Sequence, residues 1–135
     1  MGKQTLCIEQ MRHLKELGLN IDNASLCVRV ADPTEYMFNY AAYSDLMEYD
    51  FETFPVFTVQ DILDLLPIYI DAQMSRYELR IKRMGFDNDK VMYGVLYEAQ
   101  DYIDWYVMQS YPELIDAAYE MLLWCIKEQY ITVNQ

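Results

Sequence analysis

Apolar residues near the start of the chain recur at the spacing of one helix face, at Ile8, Met11, Leu14 and Leu17. This spacing predicts a first helix over about residues 8–17. Gly18 follows, and an apolar leucine comes directly after it. A glycine in this position is typical of the residue that ends a helix, because it tolerates a left-handed backbone.

The pattern then changes to the alternation of a strand. Residues 25–31 (SLCVRVA) alternate and include β-branched side chains, and residues 36–43 (YMFNYAAY) are rich in aromatic rings. The turn-forming pair Asp32 and Pro33 lies close to the junction between them. We therefore predict a hairpin, followed by an irregular, partly helical connection over residues 44–56.

A second helix start is marked by Thr58 and Asp61. Thr58 suits the N-cap position, and Asp61 suits the third helical position, where a carboxylate favours the positive end of the helix. Leucines at positions 63, 65 and 66 precede Pro67, which ends the pattern. The sequence predicts a short, largely buried helix.

Period-two alternation returns after residue 75. Tyr77, Leu79 and Ile81 share one face of a strand over residues 76–84, and charged residues occupy the other face. Turn residues separate this strand from further alternating stretches at 90–98 and 102–109. Three strands joined by short turns predict an antiparallel meander.

The chain ends in a wide apolar stripe of helical period. Ser110 and Glu113 have the spacing of a capping box, and Pro112 lies where a first helical turn tolerates proline. We expect this helix to end near Gln129. The complete order is αββαβββα, which predicts a two-layer α+β fold with one antiparallel sheet of about five strands and three helices mainly on one face.

The charge balance limits the kinds of partner. The chain has 135 residues, 22 of them acidic and 10 basic, and its formal net charge is −12. Its length suits a single domain over residues 1–135. Binding to nucleic acid requires a basic patch that displaces counterions from phosphates. Direct nucleic-acid binding is therefore not expected, and neither is binding to an anionic membrane.

The cysteines and the first residues indicate the compartment. Cys7, Cys27 and Cys125 are an odd, widely spaced set, which is typical of reduced thiols. The first ten residues lack the apolar core of a signal peptide, and no run of residues is apolar enough to span a membrane. The sequence predicts a cytoplasmic protein.

Residues that carry catalysis or bind metals are scarce. His13, the one histidine, lies on the predicted outer side of the first helix, without a residue nearby to orient it. The cysteines and this histidine lack the spacing of a zinc site. Asp87, Asn88 and Asp89 begin like a calcium loop, but Met92 stands where such a loop needs glycine, so a hairpin turn is favoured. We predict a non-enzymatic protein with no catalytic, cofactor-binding or metal-ligating residues.

Acidic and basic residues are separated along the chain. No Lys or Arg occurs between Arg29 and Arg76, and this acidic run contains Asp32, Glu35, Asp45, Glu48, Asp50, Glu52, Asp61, Asp64 and Asp71. The basic strand that follows carries Arg76, Arg80, Lys82 and Arg83. Internal compensation, with this strand packed beside the acids, is the favoured explanation.

An acidic docking face is the sharper interpretation of the same pattern. Aromatic rings alternate with the acids, and such a face would bind a basic protein surface by electrostatic steering with aromatic anchors. Its boldest form is an inhibitor that mimics DNA. The candidate residues are Asp45, Glu48, Tyr49, Asp50, Phe51, Glu52, Asp61 and Asp64.

The 13 tyrosines keep two further hypotheses open. One is a site for a small ligand or a reaction in a tyrosine-lined pocket of the sheet. The other is a structural homo-oligomer, such as a homodimer that forms through a sheet face or edge.

Two stretches resemble a known group of proteins. Residues 57–67 (FTVQDILDLLP) and 114–131 (LIDAAYEMLLWCIKEQYI) resemble small uncharacterised acidic proteins of Bacteroides-type genomes and their mobile elements. The resemblance implies an accessory protein, one that inhibits or adapts a host factor. It carries over no catalytic residue.

Overall fold

The computed structural model describes residues 3–39, 52–87, 90–100 and 104–134. The chain divides into two compact units, here called unit 1 (Met1–Lys3 and Ile62–Thr132) and unit 2 (Gln4–Asp61 and Val133–Gln135). Each unit is described by itself below. The single domain remains a prediction.

Within the described residues the class is α+β, with three helices and two antiparallel sheets. This confirms the predicted class, the number of helices and their alternation with groups of strands. The elements in chain order are α1 (Ile8–Glu16), β1 (Leu26–Arg29), β2 (Tyr36–Phe38), β3 (Thr53–Val56), α2 (Val59–Leu65), β4 (Tyr69–Ala72), β5 (Ser75–Asp87), β6 (Lys90–Ala99), β7 (Trp105–Tyr111) and α3 (Leu114–Lys127).

The sheet of unit 2 has the strand order β2-β1-β3. The predicted hairpin is confirmed by β1 and β2, in which Val28 lies opposite Tyr36, whereas residues 40–43 lie outside the described part. The prediction of an irregular 44–56 segment is wrong for residues 53–56, which form β3. Pro55 argued against a strand, because proline cannot donate a hydrogen bond to the ladder of a sheet. Proline is tolerated on edge strands, and β3 is an edge strand.

The sheet of unit 1 has the order β4-β5-β6-β7. Strands β5 to β7 confirm the predicted meander. Strand β4 was not predicted, because it is four residues long, follows Pro67 and contains Asp71. The single sheet of five strands is therefore wrong: the hairpin and the meander each gain a short extra strand and belong to separate sheets. The alternation of polar and apolar residues could not predict this separation, because it indicates which face of a strand is buried and not which strand it pairs with.

The C-terminal end of α1 and the N-terminal end of α2 form as the sequence predicts. Gly18 has φ +98°, and the N–H groups of Gly18 and Leu19 donate to the carbonyls of Lys15 and Leu14 at 3.0 and 3.1 Å, the pattern of a Schellman ending. At α2, the Asp61 N–H donates to Thr58 Oγ1 at 3.2 Å and the Thr58 N–H donates to Asp61 Oδ2 at 2.9 Å. Both ends confirm the predictions.

The predicted start of the last helix is wrong. Ser110 lies in β7 opposite Gly94, and Glu113 is the N-cap of α3. Pro112 explains the delay, because the residue before a proline is disfavoured in helical geometry, and the strand therefore continues through Tyr111. Helix α3 packs against β6 and β7 with Ile115, Met121 and Leu122 almost completely buried.

Candidate functional site

The predicted docking face lies mostly outside the described residues. Asp45, Glu48, Tyr49, Asp50 and Phe51 belong to that part of the chain. Glu52 is exposed directly before β3, Asp64 is exposed on α2, and Asp61 is partly buried. The docking face stays a prediction.

Asp61 acts within the fold of unit 2. Besides its cap to Thr58, the carboxylate accepts hydrogen bonds from the Ser25 N–H at 3.0 Å and from the Ser25 hydroxyl at 2.5 Å. A carboxylate that satisfies a helix end and a second chain segment contributes to stability. The local sequence predicts the cap but not the link to Ser25, which lies 36 residues away.

Other acids of the run have local partners. Asp32 accepts hydrogen bonds from the Thr34 hydroxyl and N–H at 2.7 and 3.3 Å, and these bonds lower the pKa of Asp32. Glu35 lies 3.7 Å from the guanidinium of Arg29. These contacts hold the charges beside the turn between β1 and β2 without burying them.

Among the described residues, ion pairs engage Arg76, Arg80 and Lys82 of the basic strand β5. Arg76 contacts Asp71 at 2.9 and 3.3 Å, and these hydrogen bonds lower the pKa of the Asp71 carboxyl. Arg80 lies 2.6 Å from Glu78, and Lys82 lies 2.5 Å from the carboxylate of Glu98. Of these three acids, Asp71 belongs to the acidic run, whereas the other two belong to the meander.

Glu98 is the buried member of this group. Its carboxylate is 3% exposed, Lys82 contacts Oε2, and Oε1 has no hydrogen-bond partner among the described residues. Glu78 lies directly opposite Glu98 across the ladder, so both carboxylates are on one face of the sheet. A buried charge with one cationic partner depends strongly on that partner.

The opposite face of the same sheet is a packed core. The Tyr97 hydroxyl donates to the Pro67 carbonyl at 2.7 Å, and the Cys125 thiol of α3 lies 3.9 Å from that hydroxyl. Burial raises the pKa of Tyr97, and it raises the pKa of Cys125 to about 11. Both groups are neutral at physiological pH. The face that carries Tyr97 is covered by α3, which leaves the hypothesis of a tyrosine-lined pocket without support there.

An aromatic row extends from this core to the surface. Ring centroids are 5.3 Å apart for Tyr77 and Tyr106, 5.9 Å for Tyr106 and Trp124, and 5.4 Å for Trp124 and Tyr130. The last pair is stacked, with 21° between the ring planes. Such contacts each contribute about 1 kcal/mol beyond area burial. The row joins β5, β7 and the end of α3.

The hairpin between β4 and β5 has a strained tip. Gln73 and Met74 have φ values of 50° and 62°, and Met74 is completely exposed. A two-residue turn with both φ values positive normally uses Asn and Gly. At its base the Arg76 guanidinium lies 3.9 Å from the centre of the Tyr69 ring.

A small cavity of about 180 Å³ lies beside the first turn of α1 in unit 2. Cys7, Val28 and Tyr36 are among the residues that line it. Sites for drug-sized ligands usually measure about 300 to 1,000 Å³. The cavity is too small for such a ligand.

Among the described residues, no group of three or more His, Cys, Asp or Glu side chains is arranged to hold a metal ion. Nor does any helix in the described ranges have the length and apolar character needed to cross a membrane. Comparison of the chain with models of known families, with curated proteins and with solved structures found no match. The resemblance to proteins of Bacteroides-type genomes stays a prediction.

Proposed function

We propose that the protein is a non-enzymatic interaction protein that binds a basic surface of another protein through the acidic, aromatic-rich region 32–71. The pairing of the basic strand supports this proposal most directly. Arg80 and Lys82 are engaged by Glu78 and Glu98 of the meander. The favoured alternative, in which this strand neutralises the acidic run, gains support from one of the three pairs, Arg76 with Asp71.

Electrostatics would drive the encounter. A net charge of −12 attracts a basic surface at distances of about 10 Å at 0.1 M salt, and more salt shortens this range. Tyr49 and Phe51 would be the anchors, because aromatic side chains carry much of the energy at interfaces. An inhibitor that mimics DNA is the boldest form of the proposal. Cys7, Cys27 and Cys125 form no disulfide, which supports a cytoplasmic location.

The test compares two variants of equal net charge. Glu48→Gln, Asp50→Asn and Glu52→Gln remove three charges from the acidic run. The control variant, Glu16→Gln, Asp22→Asn and Glu128→Gln, removes three charges from exposed sites elsewhere. The probe is hen lysozyme, a compact basic protein, and the association rate is measured by biolayer interferometry at low and at physiological salt.

We expect the acidic-run variant to associate at least about tenfold more slowly than the control at low salt, and the wild-type rate to fall steeply as salt rises. Equal rates for the two variants would show that net charge alone attracts the probe. That result would refute a docking face in this region.

A further inference from the structure

Strand β7 is an edge strand that lacks most of the usual protection. It ends the order β4-β5-β6-β7, and its sequence WYVMQSY contains no charged residue and no proline. Within the described ranges, no strand pairs with its outer side. Alternate residues of such a strand present backbone N–H and C=O groups away from the sheet.

The other edges are protected. Strand β4 has four residues and contains Asp71, β2 has three residues, and β3 has four and contains Pro55. Short length, charge and proline are the common devices that keep a foreign strand from pairing. A bulge is a further device of this kind, and strand β7 has one beside Tyr106. After the bulge, residues 107–111 form five regular positions opposite residues 93–97.

Acidic residues lie at both ends of this strand. Asp104 is exposed directly before it. After it come Glu113, whose carboxylate accepts a hydrogen bond from the backbone N–H of Lys3 at 3.2 Å, and Asp116, whose carboxylate pairs with the ammonium group of Lys3 at 2.9 Å. An uncharged strand edge thus lies between two negative ends.

We propose that the β7 edge binds an extended segment of a partner protein that has an uncharged β-forming centre and Lys or Arg at both ends. The segment would add a fifth strand to the sheet, with main-chain hydrogen bonds at its centre and charge complementarity at its ends. This surface is distinct from the acidic run of residues 32–71.

A second copy of the chain is the less suitable occupant. If two β7 strands paired antiparallel about Gln109, Asp104 of one copy would lie beside Glu113 of the second copy. Like charges at both ends, added to two net charges of −12, oppose this pairing.

The probe is the synthetic peptide KKTVTVTKK with blocked termini. One matched control replaces the four lysines by glutamates, and the other keeps the sequence but carries N-methyl groups on alternate residues of the centre, so that one edge cannot donate hydrogen bonds. Affinity is measured by calorimetry with the full chain. Hydrogen exchange of the backbone amides locates the site.

We expect the lysine peptide to bind and to slow amide exchange within residues 107–111. The glutamate peptide should bind at least about tenfold more weakly, and the N-methylated peptide should show no binding. Equal affinity of the N-methylated and parent peptides would overturn the proposal, as would protection confined to other residues.

Two further measurements separate the alternatives. If amides 107–111 become protected as the concentration of the chain alone rises, the occupant is a second copy, and the proposal is wrong. The variant with Glu48→Gln, Asp50→Asn and Glu52→Gln should bind the lysine peptide as the wild type does. Failure of the acidic-run proposal therefore leaves this result unchanged.

Discussion

The ammonium group of Lys82 lies 2.5 Å from a carboxylate oxygen of Glu98, and Glu98 is 3% exposed. The two residues are on neighbouring strands. Lys82 lies opposite Gly94, which is four residues before Glu98 on β6, so the side chains of Lys82 and Glu98 are on the same face of the sheet. Lys82 itself reaches solvent, since 42% of its side chain is exposed. The pair therefore joins a solvated cation to a desolvated anion.

Lys82→Met should lower the free energy of unfolding by about 3 kcal/mol, because the substitution leaves the Glu98 carboxylate buried without its cation. Urea unfolding at neutral pH measures the loss. Lys90→Met removes an exposed lysine from the same sheet and should change stability by less than about 0.5 kcal/mol. Equal losses in the two variants would contradict a structural role for the pair.

Gly18→Ala should destabilise unit 2 by about 2 to 4 kcal/mol. The φ of +98° is strained for alanine, and an added Cβ would lie 1.9 Å from the Asn134 carbonyl oxygen. Gly85→Ala is the matched control, since an added Cβ there meets no atom within 4 Å. Thermal unfolding of both variants checks this prediction, which fails if the Gly85 variant is equally destabilised.

Asp61→Ala should lower the free energy of unfolding by about 2 kcal/mol, because it removes the carboxylate that accepts hydrogen bonds from the Thr58 N–H at the start of α2 and from Ser25. Glu16→Ala, at an exposed position of α1, should have an effect below about 0.5 kcal/mol. Chemical unfolding distinguishes the two. If Asp61→Ala leaves the free energy of unfolding unchanged, Asp61 has no structural role, and its charge would be available to a partner.

Stability should fall at alkaline pH because of Cys125. An unfolded cysteine loses its proton near its ordinary pKa of 9.0, whereas burial raises the pKa of Cys125 in the folded chain to about 11. Between these values the unfolded state binds fewer protons, so the free energy of unfolding falls as pH rises. Urea unfolding from pH 8 to 11 should show a smaller decline for Cys125→Ser. Parallel declines would assign the loss to other groups.

Local signals in the sequence were sufficient for much of the secondary structure. The helix ending at Gly18 and the cap formed by Thr58 and Asp61 depend on residues within one or two turns, so composition and spacing determine them. The meander and its alternating faces were predictable for the same reason. Pro55 and Ser110 were misleading, because the first is tolerated on an edge strand and the second lies in a strand that continues through Tyr111.

The sequence by itself determined an acidic α+β chain with uneven charge, while the tertiary structure decided which charges meet. Asp61 contacts Ser25, which lies 36 residues away, Lys82 pairs with Glu98, and β7 lies at the edge of its sheet. These relationships depend on strand pairing between distant segments, and one alternation pattern is compatible with many pairings. Burial then sets the energetic weight of each charge, because desolvation depends on the surrounding fold.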